Sequence, residues 1–109
     1  MGNLEVVKYL VSVGADIHVQ DDLALRWATQ YGRLEVVKYL ISIGADIHAK
    51  DDFVIQWASE YGNIELVKFL VSVGANISAN NYQAIQLALK NKHIEIAKIL
   101  ISSTIVLEK

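Results

Sequence analysis

Residues Glu60–Asn76 read EYGNIELVKFLVSVGAN. Thirty residues upstream, Gln30–Asp46 read QYGRLEVVKYLISIGAD, and the chain opens with MGNLEVVKYLVSVGAD over Met1–Asp16. Alignment of residues 21–50 with 51–80 gives 15 identities in 30, with conservative changes such as Leu25/Ile55 and Tyr39/Phe69 among the rest. Self-similarity at a fixed period of this size is the mark of stacked supersecondary units. The register gives a half repeat over 2–20, repeats over 21–50 and 51–80, and a more degenerate terminal copy over 81–109, together one domain.

Each unit reads as two helices. The first is DFVIQWASEYG, residues 52–62. Asp52 is placed to cap its N-terminus, Ile55, Trp57, Ala58 and Tyr61 supply apolar positions, and Gly62 is the left-handed stop. The second is NIELVKFLVSVG, residues 63–74, with Asn63 as N-cap and Ile64, Val67, Leu70 and Val71 as one apolar stripe. Glu65 and Lys68 face solvent as an i,i+3 pair. Helices shorter than about 12–15 residues are marginal alone in water, so each copy must shield the stripe of the next. At the N-terminus the face of Leu4–Val11 has no first helix to cover it, which leaves the half repeat open to self-association. At the other end Lys92 stands where the other copies have the stop glycine, so Asn91 is expected to take the left-handed cap. Thr104 stands where the register calls for glycine, and ISSTIVLEK is expected to extend the last helix.

The totals agree with a packed helical chain. Apolar residues make up 53% of 109, proline is absent and so is cysteine, which removes disulfides and cysteine-based zinc sites. The net charge of −2 argues against a nucleic-acid module, although residues 1–66 carry −5 and residues 67–109 carry +3. No apolar run approaches the roughly 18 residues that span a bilayer, and Glu5 and Lys8 interrupt the opening stretch, so neither a membrane segment nor a signal peptide is read. A cytoplasmic location is the expectation.

GRLEVVKYLISIGADIHAK and its copies resemble the second helix and loop of the ankyrin repeat, whose consensus runs G-H-L-E-V-V-x-L-L-L-x-x-G-A-D-V-N-A. The resemblance covers essentially the whole chain. It implies an all-α architecture of helix-turn-helix repeats stacked as an α-solenoid, and a protein-binding role. The period of 30 residues is about three short of the usual ankyrin length. The family's D-x-x-G-x-T-P-L-H-x-A becomes DDFVIQWA or DDLALRWA, without the turn glycine or the Thr-Pro start. The projecting β-turn finger is therefore expected to be shortened. Shortened repeats with GADIH resemble those of ankyrin-rich proteins from large DNA viruses of amoebae, which would place the chain in host cytoplasm.

Residues that invite a chemical reading have structural ones. Asp21-Asp22 and Asp51-Asp52 suit helix capping, and stacked units put equivalent residues about 8–10 Å apart, too far to share a metal ion. His18 and His48 recur at a loop position and are read as inter-repeat hydrogen-bonding groups, because no third ligand converges on them. Ser12, Ser42 and Ser72 recur beside a stop glycine without an activating base. Trp27 and Trp57 take the buried leucine position of the family and are read as core. No cofactor, metal or catalytic residue is expected, and the chain is read as no enzyme.

What varies between copies is one surface. Gln30, Glu60 and Lys90 share a register position spanning neutral, acidic and basic, and Tyr31, Tyr61 and Asn91 share the next. Gln20, Lys50 and Asn80 share a loop tip, followed two residues on by Asp22, Asp52 and Tyr82. In the ankyrin family the corresponding positions line the concave face that grips partner proteins. The reading is a non-catalytic module that binds a partner protein there, with Tyr31 and Tyr61 as anchors and Lys50, Glu60 and Lys90 setting charge preference. The alternative is a structural spacer within a longer array, with no partner of its own.

Overall fold

In the computed structural model the described residues are 3–107; the side chains of residues 3, 19–21 and 105–107 lie outside that description. Seven helices cover most of these residues: α1 (Asn3–Ser12), α2 (Val19–Gln30), α3 (Leu34–Ser42), α4 (Ala49–Tyr61), α5 (Ile64–Ser72), α6 (Ala79–Lys90) and α7 (Ile94–Leu107). No strand occurs among the described residues. The all-α, helix-turn-helix expectation therefore holds. The chain divides into two compact units, Met1–Asp46 and Ile47–Lys109. In the first, α3 packs against both α1 and α2; in the second, α4 packs on α5 and α6, and α7 on α5 and α6.

The second helices follow directly from their sequence. Asn63 caps α5, its side-chain oxygen accepting from the Leu66 backbone N–H at 3.0 Å. The helix closes with Ala75 N–H bonding Leu70 O at 3.0 Å across Gly74, which sits at φ +97. The Ser72 hydroxyl donates to Phe69 O at 2.6 Å, and Ser12 and Ser42 do the same to Tyr9 and Tyr39. The recurring serines thus add a second hydrogen bond to last-turn carbonyls that also accept the backbone N–H of residue 13, 43 or 73. The apolar stripe is displaced from the one read in the sequence: Leu66, Val67 and Leu70 are fully buried, whereas Ile64 is exposed. Every residue of IELVKFLV except Glu65 and Lys68 is apolar, so composition alone leaves several stripes possible. The packing of α4 and α7 on α5 selects one of them. Full burial of each such side chain contributes about 1.5–3 kcal/mol.

The first helices differ from expectation at their N-termini. Lys50, Asp51 and Asp52 take left-handed dihedrals (φ 54, 57 and 60), and Asn80, Asn81 and Tyr82 repeat them (φ 55, 58 and 60). A left-handed turn therefore stands just before Phe53 and Val54, the positions aligned with the family's Thr-Pro start. Asp and Asn tolerate this region better than most residues, which suits DD and NN at the site. The turn turns carbonyls away from the usual helical ladder, and side chains recover them. Gln56 Nε2 donates to Asp51 O at 2.6 Å, and Gln86 Nε2 to Asn81 O at 2.6 Å.

This turn also corrects the capping role given to Asp52. Position 48, not 52, holds the N-cap place of α4. Asp52 is buried, and its carboxylate accepts from His48 Nδ1 at 2.9 Å and from the backbone N–H of Asn76, 24 residues on, at 2.7 Å. His48 thus holds the aspartate, which in turn bonds the loop of its own repeat. In the first unit His18 Nδ1 meets Asp22 Oδ1 at 2.7 Å, and Asp22 too is buried and left-handed (φ 60).

Two expectations at the C-terminal end divide. α7 runs to Leu107 as the missing glycine predicts, with Thr104 donating back to Leu100 O at 3.0 Å. Asn91 does not take the left-handed cap: its φ is −95, and Lys92 itself sits at φ +63. The closing bond explains this. His93 N–H reaches Ala88 O at 2.8 Å as Asn63 N–H reaches Ala58 O at 3.1 Å, so the geometry fixes the residue in the glycine's own place.

Candidate functional site

The variable positions fall into three groups. Gln30 and Tyr31, at the end of α2, are exposed, Tyr31 by 61%. Tyr61 and Tyr82 are exposed, as are Lys50, Asn80, Lys90 and Asn91, and Glu60 is half-buried. Asp22 and Asp52 are withdrawn from the surface because their carboxylates serve the turns just described. The side chain of Gln20 lies outside the described residues.

Within the second unit α4 packs on α6, and hydrogen bonds tie both of its ends to the next repeat. Asn80 Nδ2 donates to Gln56 Oε1 at 3.4 Å near the helix starts. At the other end His93 Nε2 donates to Glu60 O at 3.1 Å, so the last turn of α4 is tied to the start of α7. Asn91 turns partly inward, its amide donating to Leu87 O at 2.9 Å.

The residue that sequence reasoning misplaced is Trp27. It is 62% exposed, not core, and its ring meets Tyr31 edge-to-face at 6.2 Å. The same pair recurs in the second unit, Trp57 against Tyr61 at 6.4 Å, with the half-buried Trp57 also against Phe53 at 5.3 Å. The signal was present as the i,i+4 spacing of Trp and Tyr, which puts both on one helix stripe. An edge-to-face pair is stiff, and it offers apolar area with little side-chain entropy left to lose.

The serines at positions 12, 42 and 72 spend their hydroxyls on backbone carbonyls. Among the described residues no group of three His, Asp or Glu is placed to hold a metal ion. Among them, too, no helix is long and apolar enough to cross a membrane. The ion pairs Lys38–Glu35 (3.9 Å) and Lys68–Glu65 (3.8 Å) are exposed i,i+3 contacts of little energetic weight.

A family model described as ankyrin repeats (three copies) matches residues 1–51 and again residues 50–109. No individual curated protein matches the chain.

Proposed function

This chain belongs to the ankyrin repeat family, and from that premise we propose that it is a non-catalytic module binding a partner protein through the exposed ends of its first helices. Ankyrin repeats are generally protein–protein interaction modules and typically non-catalytic. The observation that carries the reading for this chain is the repeated Trp–Tyr pair. Trp27–Tyr31 and Trp57–Tyr61 have the same edge-to-face geometry at equivalent positions of two repeats. Both tyrosines are more than half exposed. Apolar rings held rigid in water cost free energy that a partner's surface would recover, and aromatic residues dominate binding energy at interfaces.

Each unit contributes its own patch, at the positions that line the concave face in the family. Tyr31 anchors one with Gln30 beside it. Tyr61 anchors the other, with Glu60 and Lys90 at the adjacent register and Lys50, Asn80 and Tyr82 at the helix starts. The charges set selectivity and on-rate more than affinity.

An affinity pull-down from a eukaryotic lysate tests this. Wild type is compared with a triple variant, Tyr31→Ala, Glu60→Ala and Tyr61→Ala, shown to be equally helical by circular dichroism. A protein enriched by wild type and lost with the variant is the expected result. Identical recovery with both, or none with either, ends the proposal and leaves the spacer reading in its place.

A further inference from the structure

Inside the second unit α4 and α5 seat α6 and α7, and particular contacts make that seat. The His93 ring lies against the turn at Gly62, so closely that a Cβ there would stand 2.6 Å from it. His93 Nε2 also donates to Glu60 O at 3.1 Å. Asp52, held by His48, accepts from the Asn76 N–H at 2.7 Å. That bond fixes the loop that turns the chain back from α5 to α6.

Each of these features is altered in the repeat that starts at Asn81. Lys92 stands in the place of Gly62, with a left-handed φ of +63 against +79 and the same closing bond, His93 N–H to Ala88 O. Its Cβ therefore points where the imidazole of a like repeat would have to lie, far inside the contact distance of two carbon atoms. Tyr82 replaces Asp52 and Ser78 replaces His48. Tyr82 is exposed and has no carboxylate to offer a loop N–H, and the Ser78 hydroxyl is spent on Asn76 Oδ1 at 2.7 Å. The return loop is replaced too. α5 stops at Ser72, and Ile77 is already buried in the loop behind it. α7 passes the equivalent Ser102 and is still helical at Leu107. Five further residues carry the backbone about 7 Å along the α7 axis instead of back beside α6.

We propose that the repeat starting at Asn81 is a terminator: the side of α6 and α7 not packed on α4 and α5 is closed to a further repeat of the same kind, whatever chain follows. Residues within the repeat close it. Lys92 occupies the seat, Tyr82 and Ser78 remove the clamp, and Thr104, bonded to Leu100 O, keeps α7 helical where Gly74 ends α5. A spacer inside a longer array needs a seat on both sides, so this assignment also weighs against the spacer reading.

The test extends the chain in register. One protein is the full chain followed by a second copy of its residues 80–109, so that IVLEK stands where ANISA stands at the natural junction. The second carries Ser78→His, Tyr82→Asp and Lys92→Gly in the original repeat, and has TIVLEK of residues 104–109 replaced by GANISA, the sequence of residues 74–79. Urea unfolding and amide exchange are compared. In the first protein the added helices are expected to exchange as an isolated helix pair does, and the m-value stays that of the unextended chain. In the second they are expected to exchange at least about a hundredfold more slowly, and the m-value rises by about a quarter as the added repeat joins the stack. Equal protection of the added helices in both proteins overturns the proposal, because the natural face then seats a repeat. No protection in either overturns it as well, because the named residues are then not what closes the stack.

Discussion

Gly62 shows how one residue reports on the next repeat. Its φ of +79 lies in the left-handed region, and a Cβ built on it would stand 2.6 Å from the His93 ring. Gly74 has a comparable φ of +97 but nothing within 4 Å of its Cβ. Both should lose stability as alanine, Gly74 by about 1 kcal/mol for the backbone alone and Gly62 by about 2–3 kcal/mol in total. Urea denaturation of the two variants checks the order. Adding His93→Ala to Gly62→Ala should recover part of the excess, which a purely conformational cost would not allow. Lys92 is the mirror case, a side chain held at φ +63 where the sibling repeats place glycine. Lys92→Gly should raise the denaturation midpoint, by about 0.5–1 kcal/mol, since the strain removed exceeds the entropy that glycine adds to the unfolded chain. An unchanged or lower midpoint would refute the strain argument.

At the scale of the element, the left-handed turn that opens α4 and α6 is the local feature that propensity does not describe. Three successive non-glycine residues at positive φ cost about 1–2 kcal/mol each. They persist because Gln56 and Gln86 recover the carbonyls and because Asp52 has a partner in the part-buried Asn76 N–H. A hydrogen bond to a charged group is worth about 1.5–3 kcal/mol, and its loss leaves a part-buried N–H without that acceptor. Asp52→Ala should therefore destabilise the second unit by about 2–4 kcal/mol, with the Asn76 amide losing hydrogen-exchange protection first. Asp52→Asn should retain part of that protection. Equal protection in wild type and Asp52→Ala would show that the bond contributes nothing.

At the scale of the whole molecule, the repeats are similar in sequence and unequal in burial. Leu10, Leu40, Leu70 and Leu100 share one register position, yet Leu10 is 47% exposed and the other three are 0%. Leu70→Ala should cost about 2–5 kcal/mol through a core cavity, whereas Leu10→Ala should cost less than about 1 kcal/mol. Thermal or chemical unfolding of the two variants measures the difference. Similar losses would mean that α1 is covered in solution, either by another copy or by a partner that copurifies. Amides of α1 should also exchange faster than those of α5, whose stripe is packed from both sides.

The sequence by itself determined the helices, their order and most of their ends. Those depend on residues within a turn or two of each other: Asn63 before IEL, glycine after the apolar run, alanine at positions 28, 58 and 88. The length of α7 and the uncovered face of α1 were legible for the same reason, since the register names what each copy lacks. The tertiary structure decided which of several adjacent apolar positions is buried, so that Leu66 faces the core while Ile64 and Trp27 do not. It also decided that Asp52 turns inward to a backbone N–H 24 residues away rather than capping its own helix. Periodicity in a sequence specifies a helix and an apolar arc around it, but the arc is wider than the contact. Only the neighbouring helix, by excluding water from part of that arc, fixes which side chains form the core and which remain for a partner.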